Sequence, residues 1–138
     1  MAIMVAARDH RLGAVAVDSS YTDLEESIGQ HLKLLYHLPK IPFLMFVSLT
    51  YRIRFGVWPR QMSPITTIAE ISPRCVFLIQ SEHDPRLPQD EARVLHEAAE
   101  EPKALWVVPS GAHLGGFAEA PAEYIDRLVR FYDSCLRR

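Results

Sequence analysis

The chain is 138 residues long, 49% hydrophobic and 23% charged. That fits one globular domain with a real core and excludes a disordered or low-complexity segment. The formal net charge is −2 and the pI about 6.3, and with no basic stripe a nucleic-acid partner is not expected.

The elements follow from apolar runs and their punctuation. Residues 2–8 read as a helix, but Met1 offers no cap before it, so the chain starts abruptly inside an element, as a part of a domain would. Gly13–Asp18 is a continuous apolar run of strand length. Thr22 and Glu25 have capping-box spacing. Behind them Leu24, Ile28, Leu32, Leu35 and Tyr36 recur at helical spacing until Pro39. Residues 41–74 are the least determined; Phe43–Tyr51 is assigned to helix because it lies between two strands of a parallel sheet.

Cys75–Gln80 and Ala104–Pro109 are two further strand-length apolar runs. None of the three runs alternates, which suits strands buried on both faces of a parallel sheet. Pro88–Glu100 is helical, with Ala92, Leu95, Ala98 and Ala99 on one face. Pro121 is placed as a first helical residue, followed by a stripe of Tyr124, Ile125, Leu128, Val129, Tyr132 and Leu136. Strands alternating with helices predict an α/β fold of about three parallel strands flanked by helices, in one unit over residues 1–138.

The apolar patch 41–51 is too short to span a bilayer and is interrupted by Pro42, Ser48 and Thr50. No basic stretch followed by a long apolar run marks a signal peptide. Cys75 and Cys135 form no C-x-x-C pair and are read as buried thiols of a cytoplasmic protein.

The residues that can carry chemistry lie beyond strand ends. Asp84 follows the second strand and His113 the third, and in an open parallel sheet functional groups gather beyond the carboxyl ends of the strands. A carboxylate beside an imidazole sets its tautomer and stabilises its protonated form. Spacing alone leaves two solvated loop residues as an equal reading.

The segments around these residues add a resemblance. Phe77-Leu-Ile-Gln-Ser-Glu-His-Asp84-Pro-Arg-Leu-Pro88 resembles the acid turn of the α/β-hydrolases, L-I-H-G-x-x-D-x-x-V-P. Lys103-Ala-Leu-Trp-Val-Val-Pro-Ser-Gly-Ala-His113 resembles their histidine turn, and residues 121–132 their last helix. Val17-Asp-Ser-Ser-Tyr-Thr-Asp-Leu24 looks like the turn after the sixth strand, and Ser63-Pro-Ile like the approach to the seventh. The likeness spans nearly the whole chain and is greatest to the serine aminopeptidase-like and Bem46-like kinds.

It implies the C-terminal portion of an α/β-hydrolase fold with a small helical insert, or cap, over about 23–74. It further implies that Asp84 is the acid and His113 the general base of a serine-hydrolase triad, acting in the full-length form on a small-molecule ester, amide or thioester. Asp18 is a competing acid, because some members of the fold place it after the sixth strand.

The same resemblance exposes what this sequence lacks. It has no G-x-S-x-G, the motif that carries the nucleophile on a strand-to-helix elbow. By the alignment the elbow and the first five strands fall upstream, and the chain alone is expected to be inactive. Ser19, Ser20 and Ser110 lack the elbow's glycines and read as turn residues. Gln80, Ser81 and Ala112 depart from the family's His, Gly and Gly; Ser and Ala carry a cost if those positions need positive φ.

His31 and His37 are six apart on a helix, and His10, His83 and His96 have no partner at ligand spacing, so neither a metal nor a cofactor is expected. No glycine motif for a nucleotide is present, which weakens a third reading as an unrelated binding module such as a flavodoxin-like one. Phe43, Leu44, Met45, Phe46 and Trp58 of the insert read first as ordinary core and second as the wall of an acyl-chain pocket. The bare edge of Gly13–Asp18 is expected to promote self-association. The alternative to a hydrolase is a non-catalytic binding or regulatory remnant of the fold.

Overall fold

The computed structural model describes residues 1–87, 90–109 and 113–137. In chain order its elements are α1 (Ala2–Arg8), β1 (Ala14–Asp18), α2 (Leu24–Tyr36), α3 (Lys40–Phe55), three short 3-10 turns between residues 59 and 71, β2 (Cys75–Ser81), α4 (Glu91–Ala98), β3 (Lys103–Val108), α5 (Gly115–Glu119) and α6 (Pro121–Leu136).

The strands form one parallel sheet in the order β1-β2-β3. Ala14 pairs with Cys75 and Asp18 with Ile79; Val76 pairs with Lys103 and Ser81 with Val108. All seven residues of the central β2 are buried, which is why its run is apolar without alternation. Val76 and Leu78 face a core of Ile3, Ala6 and Ala7 from α1, Ile68 and Ile71, and Ala92 and Leu95 from α4. Phe77 and Ile79 point the other way, with Trp106 and Val108, onto Tyr124, Leu128 and Phe131 of α6. The pleat sorts one continuous run into two cores.

Side chains finish the helices. Arg74, just before β2, donates Nη1 to the carbonyls of Ala6 (2.6 Å), Asp9 (3.2 Å) and Leu12 (3.2 Å). It thereby satisfies the orphan carbonyls at the end of α1 and fixes α1 to the sheet. α2 is capped by Asp23, whose carboxylate accepts the Glu26 N–H at 3.1 Å. The capping box expected from Thr22 does not form, because the Thr22 N–H goes instead to the carboxylate of Glu91. Gly56 ends α3 at φ 75, where a side chain would be strained.

Residues 23–74 are largely helical: α2, α3 and the 3-10 turns occupy most of them. α4 begins at Glu91; Pro88, the expected start, lies outside the described residues. The short α5 was not foreseen.

The two cysteines correct the sequence reading. Cys75 and Cys135 are not thiols but a disulfide, with Cα atoms 6.1 Å apart. Cys75 opens β2 and Cys135 closes α6. Because α6 runs back across the sheet, residues 60 apart in sequence meet.

Candidate active site

β2 and β3 end side by side, and the Glu82 N–H still bonds the Val108 carbonyl at 2.8 Å. The chain then turns through Asp84. One carboxylate oxygen, Oδ1, accepts the backbone N–H groups of Arg86 (2.8 Å) and Leu87 (3.3 Å). That local turn aims the other oxygen, Oδ2, at the ring of His113, whose Nδ1 lies 2.7 Å away. The Asp84 side chain is fully buried, while 27% of the His113 side chain is exposed. With Nδ1 donating to a carboxylate, the favoured tautomer leaves the Nε2 lone pair free to accept a proton.

The histidine turn is held from two sides. Ser81 Oγ, at the end of β2, accepts the Gly115 N–H at 3.2 Å. Leu114 adopts φ 58, a left-handed conformation that a leucine takes only when its surroundings impose it. A Cβ on Gly116 would sit 3.1 Å from Val108 and 3.2 Å from Tyr124, so α5 is pressed onto β3 and α6. Ser81 lies in regular strand and needs no positive φ, so serine there is not the cost that its departure from the family pattern suggested. Gln80 is also used, since its Oε1 accepts the Ala92 N–H at 2.7 Å and ties β2 to the start of α4. Ala112 lies outside the described residues.

Asp18, the competing acid, is engaged elsewhere. Its carboxylate accepts the Tyr124 hydroxyl and the Ser19 hydroxyl, both at 3.0 Å. Burial and the Asp18 charge push the Tyr124 phenol up to about 12. Ser19 and Ser20 use their hydroxyls locally, Ser20 on the Tyr21 carbonyl. Ser110 lies outside the described residues.

A cleft of about 570 Å³ opens beside Asp84. Its walls are the acid turn, with Pro85, Arg86 and Leu87, and the end of α2, with Gln30, Lys33, Leu34 and His37. α2 therefore borders the acid. Sequence reasoning set His37 aside as a metal ligand and did not place it at a cleft; it stands at the end of α2 in a left-handed conformation (φ 53). Nothing in a 3.6-residue pattern marks the wall of a cleft made by two distant segments. Among the described residues no group of three His, Cys, Asp or Glu is placed to hold a metal, and no helix is long and apolar enough to cross a membrane.

Solved structures with this architecture include hydrolases. GrgF, an alpha/beta hydrolase from Penicillium sp. sh18, superposes with a TM-score of 0.68 at 17% identity, over 99% of this chain and 60% of that one. The Pyrococcus furiosus esterase PF2001 superposes with a TM-score of 0.70 at 18% identity, over 97% of this chain and 48% of that one. The fold is that of the α/β-hydrolases.

No family model matches the chain. In sequence, this α/β-hydrolase fold is similar to the uncharacterized protein YqkD of Bacillus subtilis (strain 168), 26% identical over 117 residues, and to the uncharacterized protein YfhR of Escherichia coli (strain K12), 33% identical over 70 residues. The chain spans 38% of the length of YqkD, and the YfhR match covers 25% of that protein.

Proposed function

We propose that this chain supplies the acid and the histidine, Asp84 and His113, of a serine-hydrolase triad that cleaves a small-molecule ester, amide or thioester by acyl transfer. The observation that carries the reading is the 2.7 Å pair between a fully buried carboxylate and a partly exposed imidazole at the strand ends. In this reading His113 Nε2 takes the proton of a nucleophilic hydroxyl and later delivers it to the leaving group, while Asp84 stabilises the imidazolium. The cleft beside Asp84 would hold part of the substrate.

The nucleophile and the oxyanion donors are not among these 138 residues, which contain no G-x-S-x-G. Catalysis then belongs to a polypeptide or complex that adds them, and the 138-residue chain alone is inactive. The missing elbow equally favours a second reading, a non-catalytic binding or regulatory remnant. The open edge of β1, which pairs only with β2 among the described residues, is the proposed route of self-association. The cytoplasmic location inferred from free thiols loses that support, since disulfides are rare in the cytosol.

The test is to capture serine hydrolases from source cells with a fluorophosphonate probe and search the captured proteins for peptides of this sequence. Capture in a species heavier than 15.7 kDa is expected under the catalytic reading. A native species of 15.7 kDa that the probe never labels would select the remnant.

A further inference from the structure

The cleft beside Asp84 gathers cations from two distant segments. Gln30, Lys33, Leu34 and His37 follow one another at spacings of three and four, so α2 turns one face towards the cleft. Arg86 stands on the opposite wall with Pro85 and Leu87. Neither Lys33 nor Arg86 makes an ion pair among the described residues. A cation near the end of a helix is favoured by the helix itself, which accounts for Lys33 alone. Arg86 lies in the acid turn, where no helix end explains it.

The charge that the cleft offers is one-sided. Asp84 is the acid on its lining, and the Asp84 side chain is fully buried. Both of its oxygens are engaged, Oδ1 by the N–H groups of Arg86 and Leu87 and Oδ2 by His113. The open walls therefore present Lys33, Arg86 and the Gln30 amide beside the carbon surface of Leu34, Pro85 and Leu87. A guanidinium offers a carboxylate a fork of N–H donors, and an ammonium adds a point charge. The volume, about 570 Å³, lies within the range for small-molecule sites, roughly 300–1,000 Å³.

We propose that this cleft binds a small carboxylate, and that the substrate carries one a short chain away from the bond to be cleaved. The carboxylate accepts hydrogen bonds from Lys33 and Arg86, and the carbon body lies on Leu34, Pro85 and Leu87. Lys33 and Arg86 are then specificity residues. As a statement about the substrate this rests on Asp84 and His113 being part of a triad.

Amide NMR of the 138-residue chain, titrated with monomethyl glutarate and with dimethyl glutarate, tests this, because the diester lacks the charge. The monoester should shift the amides of Lys33, His37, Arg86 and Leu87 along one saturable curve, with the diester weaker by roughly tenfold. Added salt should weaken the monoester and leave the diester unchanged. Lys33→Gln and Arg86→Gln, both at exposed positions, should each weaken the monoester by roughly three- to tenfold, and Lys33→Glu should abolish its binding. Arg60→Gln, in a different groove, should change nothing. Equal binding of the two esters, shifts confined to residues outside the cleft, or affinity untouched by both Lys33→Gln and Arg86→Gln would overturn the proposal. Capture by the fluorophosphonate probe without monoester binding would remove the carboxylate site and keep the triad. Monoester binding without capture would keep the carboxylate site and overturn its role in choosing a substrate.

Discussion

Asp84 serves two purposes with one carboxylate, and its variants separate them. Asp84→Asn retains an oxygen for the N–H groups of Arg86 and Leu87 and alters the pairing with His113; Asp84→Ala removes both. Asp84→Ala is therefore expected to lose about 1–3 kcal/mol of stability in urea melts, because buried donors are left unanswered, whereas Asp84→Asn should lose less. On the proposed triad, in an assembly that carries a nucleophile, Asp84→Asn should lower kcat by about four orders of magnitude through the wrong imidazole tautomer.

Tyr124 makes a different pH-dependent contact. Its phenol is raised from the usual 10.0 to about 12 in the folded chain, first by burial and then by Asp18. Folding thus favours the protonated phenol. That contribution is complete below pH 10, and it is lost as pH rises towards about 12. Alkaline difference absorbance should show a late-titrating tyrosine that is missing in Tyr124→Phe and shifted back towards 10 in Asp18→Asn.

Among elements, α6 carries the largest unforeseen constraint. Its apolar stripe is wider than the sheet it covers: Tyr124, Leu128 and Phe131 pack inward, while Ile125, Val129 and Leu136 stay more than half exposed. Three i,i+4 ion pairs, Glu123–Arg127, Asp126–Arg130 and Asp133–Arg137, decorate the solvent side and contribute little each. The disulfide does more. It closes a loop of 60 residues, and on the chain-entropy estimate such a link is worth about 4 kcal/mol. Cys75→Ala with Cys135→Ala, or full reduction, should therefore lower Tm markedly in a calorimeter. An unchanged Tm would mean that the two sulfurs are not bonded in solution.

At the scale of the molecule, apolar surface outruns what one copy can cover. Besides the exposed side chains of α6, α3 presents Ile41, Met45, Phe46 and Ile53, each 59–82% exposed, and β1 leaves one edge without a partner among the described residues. Contiguous apolar patches and bare strand edges drive association. Sizing with light scattering is expected to show concentration-dependent oligomers of the isolated chain. A monodisperse monomer with a cooperative melt would count against association through the edge of β1.

The sequence by itself determined the kind of most elements and their order, because strand-length apolar runs without alternation suit a parallel sheet; burial on both faces holds for β2, while β1 and β3, on either side of it, are mostly half-buried. It also pointed to Asp84 and His113, through their place just past strand ends and the resemblance of their turns to those of α/β-hydrolases; spacing alone left two solvated loop residues as an equal reading. It did not reveal the contacts between segments far apart. The Cys75–Cys135 bond, the diversion of the Thr22 N–H to Glu91, the Ser81 bond to Gly115 and the engagement of Asp18 by Tyr124 all join groups brought together by packing. Local periodicity records which face of an element is apolar, but not what that face meets. Only the tertiary structure decided that.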